Sequence, residues 1–300
     1  MRINHCFRNI SRLRAGVQLV WTALCNGYLA GFFKGTIYSG PLKGVCVPGL
    51  NCYSCPGALG ACPVGSFQAM LTGMEPRFPS YVLGFLIAFG AVLGRFVCGW
   101  LCPFGLVQDT LHKVPVQGKR RGLPGDRTLR LLKYAVLALF VVALPLCVRD
   151  ELLNVSDPWF CKYICPSGTL LGGWPLLAAN ESLRGAAGAL FAWKSALLIG
   201  IVALSVWTYR PFCKYLCPLG AFYGFFNRFA LLGLSVDRGA CVDCGACARA
   251  CPMDVKMPAL PDSAECIRCG KCAQSCPTGA VRMPFEKKRD RKREESRGND

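Results

Sequence analysis

The chain has 300 residues, 53% of them hydrophobic, with 21 cysteines, two histidines and a formal net charge of +18. Its mean hydropathy of +0.34 points to a membrane protein. Two histidines, His5 and His112, and the absence of C-x-x-C-H exclude a bis-histidine haem core and covalent haem c, and no Ser/His/Asp set, phosphate-binding glycine loop or nucleotide fingerprint occurs.

From the N-terminus, four apolar stretches approach spanning length: 15–33, 81–97, 129–148 and 189–207. About twenty apolar residues cross the hydrocarbon core, so all four are predicted to span, the first despite Gln18 and Asn26. Arg8, Arg12 and Arg14 make that first stretch resemble a signal peptide, but no small-x-small cleavage site follows and it reads as an uncleaved helix. Positive residues set the orientation. Arg2, Arg8, Arg12, Arg14, Lys113, Lys119, Arg120, Arg121, Arg127, Arg130 and Lys133 lie on one side, against Lys34, Lys43, Arg77, Arg149, Lys162 and Arg184 on the other. The chain is therefore expected to be multi-pass in the cytoplasmic membrane with both termini cytoplasmic. Residues 286–300 read as a disordered charged tail, not a nucleic-acid site.

Cys-Pro-x-Gly recurs four times, at Cys62, Cys102, Cys165 and Cys217. A second cysteine stands four residues earlier in three of them, as Cys98, Cys161 and Cys213; the first has Ala58 there and offers Cys55, Cys52 and Cys46. Proline suits the first position of a helix, and the helix N-terminus it opens favours thiolates or an anionic cluster. With one crossing per unit, motifs two and four share the inner face and motifs one and three the outer. Cys98, Cys102, Cys213 and Cys217 form an inner tetrad. Cys55, Cys62, Cys161 and Cys165 are the first choice for an outer one, with Cys46 and Cys52 as alternates. The competing fates are packing in tight turns, or disulfides on an oxidising exterior. His112, after the second motif, is a candidate quinone contact, or simply an interfacial histidine.

The last third carries C-x2-C-x2-C-x3-C-P twice, at Cys241, Cys244, Cys247, Cys251 and at Cys266, Cys269, Cys272, Cys276. In this spacing three thiolates hold one cluster and the fourth reaches the other. Cys241, Cys244, Cys247 and Cys276 are thus expected to hold one [4Fe-4S] cluster, and Cys266, Cys269, Cys272 and Cys251 a second. Zinc knuckles space their pairs differently.

The runs FVCGWLCPFGLVQD from Phe96 and FCKYLCPLGAF from Phe212, followed by the doubled motif, resemble the NapH, NosR and MauN group of membrane-bound polyferredoxins over roughly residues 80–283. The resemblance implies four membrane helices and cytoplasmic iron-sulfur clusters that relay electrons, often from quinol, to a partner oxidoreductase, cytochrome or flavoprotein. It departs from NapH in Cys161/Cys165 and the Cys46 to Cys62 group, and lacks the extracytoplasmic flavin domain of NosR. The expected fold is an all-α four-helix transmembrane domain with Cys-Pro-x-Gly loops over residues 1–235, joined to a small α+β bacterial-type 2[4Fe-4S] ferredoxin domain over 236–285. The expected function is electron transfer across the membrane between a cytoplasmic or quinol donor and a redox partner, through the two ferredoxin clusters and one or two membrane clusters. The alternative is a maturation factor handling Cu(I) at the membrane cysteines, which the six methionines, none in a Met-x-x-Met pair, do not favour.

Overall fold

Proline fixes its own φ and pushes the residue before it into extended backbone, so each Cys-Pro pair ends one segment and starts a helix. In the computed structural model, which describes residues 10–74, 78–152, 154–185 and 187–284, helices begin at Pro63, Pro103, Pro166 and Pro218, each behind an extended cysteine. The tail at 286–300, His5 and Cys6 lie outside the described residues.

Among those residues two helices are long and apolar enough to cross a membrane, Asp126–Cys147 and Ala189–Trp207, and most of each is exposed where a core helix would be covered. The other two expected spans are shorter. The stretch at 15–33 is broken into Ile10–Cys25 and Ala30–Lys34, because Asn26 folds its amide onto the Thr22 carbonyl at 3.0 Å and the Leu59 N–H takes the Cys25 carbonyl. The stretch at 81–97 becomes Ser80–Leu93, ended by Gly94 at φ +52°. At 1.5 Å per residue it is about 21 Å long, less than the ~30 Å hydrocarbon core. Where four spans are expected, the described residues hold two full-length helices, one short apolar helix and one interrupted helix.

The chain from Ser235 closes on itself through an antiparallel pair, Ser235–Val236 against Val281–Arg282, with short helices Ala246–Ala250 and Lys271–Gln274 between. Its sequence duplication is repeated in the backbone. Asp243 and Gly245 after Cys241 have positive φ, as do Arg268 and Gly270 after Cys266, and these left-handed residues curl each loop around its cysteines. Burial centres on the seam between this unit and motifs two and four, where Val97, Phe104, Phe212, Tyr223 and Ile267 are almost wholly covered.

Candidate iron-sulfur sites

Two cavities lie in the C-terminal unit. Cys241, Cys244, Cys247 and Cys276 line one, beside solvent; Cys251, Cys266, Cys269 and Cys272 line the other, with Met253, Val255 and Ile267. Burial pushes the Cys266 thiol up to about 12. A thiol so placed is deprotonated when a metal binds, releasing its proton to solvent while the metal's charge replaces the lost solvation. The buried cavity is the one that meets the N-terminal part of the chain. Trp100 Nε1 donates to the Arg268 carbonyl at 3.0 Å, Arg268 donates to the carbonyls of Leu93 and Asn227 at 2.9 and 2.8 Å, and Asn227 Nδ2 donates to the Cys266 carbonyl at 2.9 Å. Gly99, next to Cys98, lies so close to Ile267, next to Cys266, that a Cβ there would stand 2.2 Å from the Ile267 oxygen.

Motifs two and four bring Cys98, Cys102, Cys213 and Cys217 together, all buried. Each Cys-Pro sulfur accepts the N–H of the motif's own glycine, Gly105 to Cys102 at 3.4 Å and Gly220 to Cys217 at 3.3 Å, and Gln108 Nε2 donates to Cys213 Sγ at 3.2 Å. Donors already aimed at sulfur suit thiolates bound to a metal cluster. Two buried arginines complete the group by crossing over. Arg95, three residues before Cys98, donates to the Cys213 carbonyl at 3.1 Å; Arg210, three residues before Cys213, donates to the Cys98 carbonyl. The glycines make room for this exchange: a Cβ on Gly105 would meet Arg210 at 3.1 Å, and one on Gly220 would meet Arg95 at 3.3 Å.

Each arginine has one acidic anchor. Arg210 pairs with Asp109 at 2.5 Å, shared with Arg14 at 2.8 Å; burial works to raise the Asp109 carboxyl, but Arg210 and Arg14 outweigh it and hold it below its ordinary value. Arg95 pairs at 2.9 Å with Glu265 of the C-terminal unit, which also takes Lys133. Lys133, expected as a topology-setting surface cation, is wholly buried. Sequence reading missed Arg95 and Arg210; the visible signal is Arg-x2-Cys-x3-Cys-Pro-x-Gly, which motifs two and four alone carry.

Motifs one and three form a second group. Cys52, Cys62, Cys161 and Cys165 line one cavity of about 660 Å³. Ideal Cβ atoms on the motif glycines would lie beside the opposite motif's sulfur, Gly65 at 3.9 Å from Cys161 and Gly168 at 3.6 Å from Cys52. The first-choice set placed Cys55 here. Cys55 instead turns its thiol toward Asn26 Oδ1 at 3.6 Å, and Cys52 lines the cavity in its place. Cys46 is held in a bridge with Ala61, away from that lining. Asn51 and Ser167 also face the cavity, almost fully buried, and neither the Asn51 amide nor the Ser167 hydroxyl has a protein partner. Buried polar atoms need acceptors or donors, and cluster sulfides supply acceptors. Among the described residues no three of His, Cys, Asp and Glu converge as a single ion requires; the thiols surround spaces instead. His112 sits elsewhere, Nδ1 3.3 Å from the Ser205 carbonyl and its ring edge-on to Tyr209.

Family models described as 4Fe-4S binding domains match residues 78–124, 155–178 and 191–235 in one case, and 234–256 and 260–282 in the other. This is an iron-sulfur protein of the electron-transfer class. The chain is 32% identical over 231 residues to the methylamine utilization ferredoxin-type protein MauN of Paracoccus denitrificans, covering 74% of this chain and 73% of that one. It belongs to the NapH/NosR/MauN-type family. It is 26% identical over 199 residues to YccM, a protein of Escherichia coli named for electron transport, covering 64% of this chain and 52% of YccM. It is 28% identical over 180 residues to the regulatory protein NosR of Pseudomonas aeruginosa, covering 55% of this chain and 21% of NosR. No solved structure matches the chain. The family and the two long apolar helices associate the chain with a membrane.

Proposed function

We propose that this chain is a membrane-integral electron relay, working between a cytoplasmic or quinol donor and a partner oxidoreductase on the far side. Its ligands are Cys241, Cys244, Cys247 and Cys276; Cys251, Cys266, Cys269 and Cys272; Cys98, Cys102, Cys213 and Cys217; and Cys52, Cys62, Cys161 and Cys165. When bound, [4Fe-4S] clusters supply one-electron transfer with no bond made or broken. The protein's part is to gather thiolates, direct N–H groups at sulfur, keep water out and place Arg95 and Arg210 against the charge of the inner group. In this reading 1–235 is the membrane domain, with Ile10–Cys25 and Ser80–Leu93 completing four membrane segments, and 236–285 is the ferredoxin.

One observation carries the proposal: the seam between Gly99 and Ile267, which leaves no room for a Cβ between the cysteine loop of motif two and that of the buried ferredoxin cavity. That contact supports an order in which electrons pass from the exposed ferredoxin cavity, through the buried one, to the inner group. Iron and acid-labile sulfide on anaerobically purified full-length protein test it. About sixteen irons per chain are expected from four clusters; about eight, with no loss in Cys98→Ser/Cys213→Ser, leaves only the ferredoxin and refutes the membrane relay. Reporter fusions after Asp300 test the orientation, and activity confined to the outer face overturns it.

A further inference from the structure

We propose that Leu50, Asn51 and Cys52 form a direct electron bridge between the inner and outer cysteine groups, so that no diffusible carrier works between them. The inference rests on both membrane groups holding clusters. Alternating motifs set them on opposite faces of a hydrocarbon layer about 30 Å thick, yet the outer group reaches inward. The helix Pro63–Thr72 behind Cys62 has ten residues, about 15 Å, and its outer end meets Ser156, whose N–H donates to the Thr72 carbonyl at 3.1 Å. Cys62 therefore lies well below that level. The partner motif dips with it, since the Cys161 N–H donates to Gln68 Oε1 of the same helix at 3.3 Å.

From the inner side, the segment before Cys52 rests on motif two. A Cβ on Gly49 would stand 2.8 Å from the Leu101 oxygen and 3.1 Å from the Cys102 Cα, so only glycine lets the strand approach. Leu50 follows directly and lines the outer cavity with Asn51. Cys52 lines it too. From Gly49 to Cys52 three residues span at most about 11 Å, so a short covalent path replaces much of the expected gap. Leu50 and Asn51 are almost wholly buried, and the buried Tyr223 pins the segment just before them, its hydroxyl donating to the Pro48 carbonyl at 3.1 Å. In the transfer, one electron leaves the reduced centre and enters the oxidised one; no proton moves and no bond changes.

The test is EPR on the full-length holoprotein reduced with dithionite, wild type against Cys161→Ser/Cys165→Ser. Adjacent centres broaden each other's signals, so the inner signal is expected to sharpen in the double variant as about four irons are lost. An inner signal of unchanged width, with those irons gone, sets the outer centre too far away and overturns the bridge. About eight irons in the wild type overturns instead the reading beneath it. A second measurement is independent of the outer ligands. Gly49→Ala drives a Cβ to 2.8 Å from the Leu101 oxygen and should shift the inner centre's reduction potential relative to wild type; an unchanged potential would detach the loop from the inner centre.

Discussion

Glu265 offers a quantitative test of how the C-terminal unit is fastened to the helical part before it. Its carboxylate takes Arg95 and Lys133, both with wholly buried side chains, while its own side chain is 11% exposed. Burial tends to raise that carboxyl, but Arg95 and Lys133 overcome it and hold it below its ordinary value. Breaking a buried pair by removing one partner costs about 3–5 kcal/mol, since the other charge is left stranded. Arg95 keeps the Ala264 and Cys213 carbonyls at 2.6 and 3.1 Å, so the loss falls mainly on Lys133 and the lower figure, about 3 kcal/mol, applies. Glu265→Gln is therefore expected to lower the thermal midpoint of the detergent-solubilised holoprotein by roughly 6–12 °C and to admit protease at the connection near residues 229–234. Adding Lys133→Met should recover much of the loss, because the stranded charge goes with it. The lowered carboxyl makes the contribution full above about pH 4.3, the ordinary glutamate value, and lost as pH falls through the folded value; the Gln variant should lack that acid step. A midpoint within a degree of wild type would mean that water already solvates the cluster of charges, and the reasoning would fail.

Gly99→Ala drives a Cβ to 2.2 Å from the Ile267 oxygen, an overpacking expected to cost about 1–3 kcal/mol and to loosen the seam, read as weaker magnetic interaction between the buried ferredoxin centre and the inner one. Cys52→Ser should lose about four irons and Cys55→Ser none; the reverse pattern in iron analysis would restore Cys55 to the outer set. Arg210→Lys keeps the charge but not the planar fork that reaches both Asp109 and the Cys98 carbonyl, so the inner centre should persist with a shifted potential, whereas Arg210→Leu should lose it. Potentiometry on both variants checks this, and two wild-type potentials would reduce the arginine crossing to packing.

The sequence by itself determined what is local. C-x2-C-x2-C keeps three thiols within a seven-residue loop that curls around one cluster, so iron-sulfur chemistry and the family membership were legible from spacing and order alone. Cys-Pro-x-Gly likewise announced where helices start, since proline dictates its neighbour's backbone. Helix length was less legible: 15–33 and 81–97 are apolar enough to span, but Asn26 and Gly94 interrupt them, and hydropathy does not register a side chain that hydrogen-bonds its own helix end. Only the tertiary structure decided the rest. The choice of Cys52 over Cys55 depends on which thiol lines the cavity, and these two cysteines are equivalent in any pattern. Arg95 and Arg210 find their carbonyls 118 and 112 residues away, and the nearness of Gly49 to Cys102 comes from a loop packed against motif two. Contacts at that separation are set by packing and charge burial across the whole chain, which no local spacing encodes.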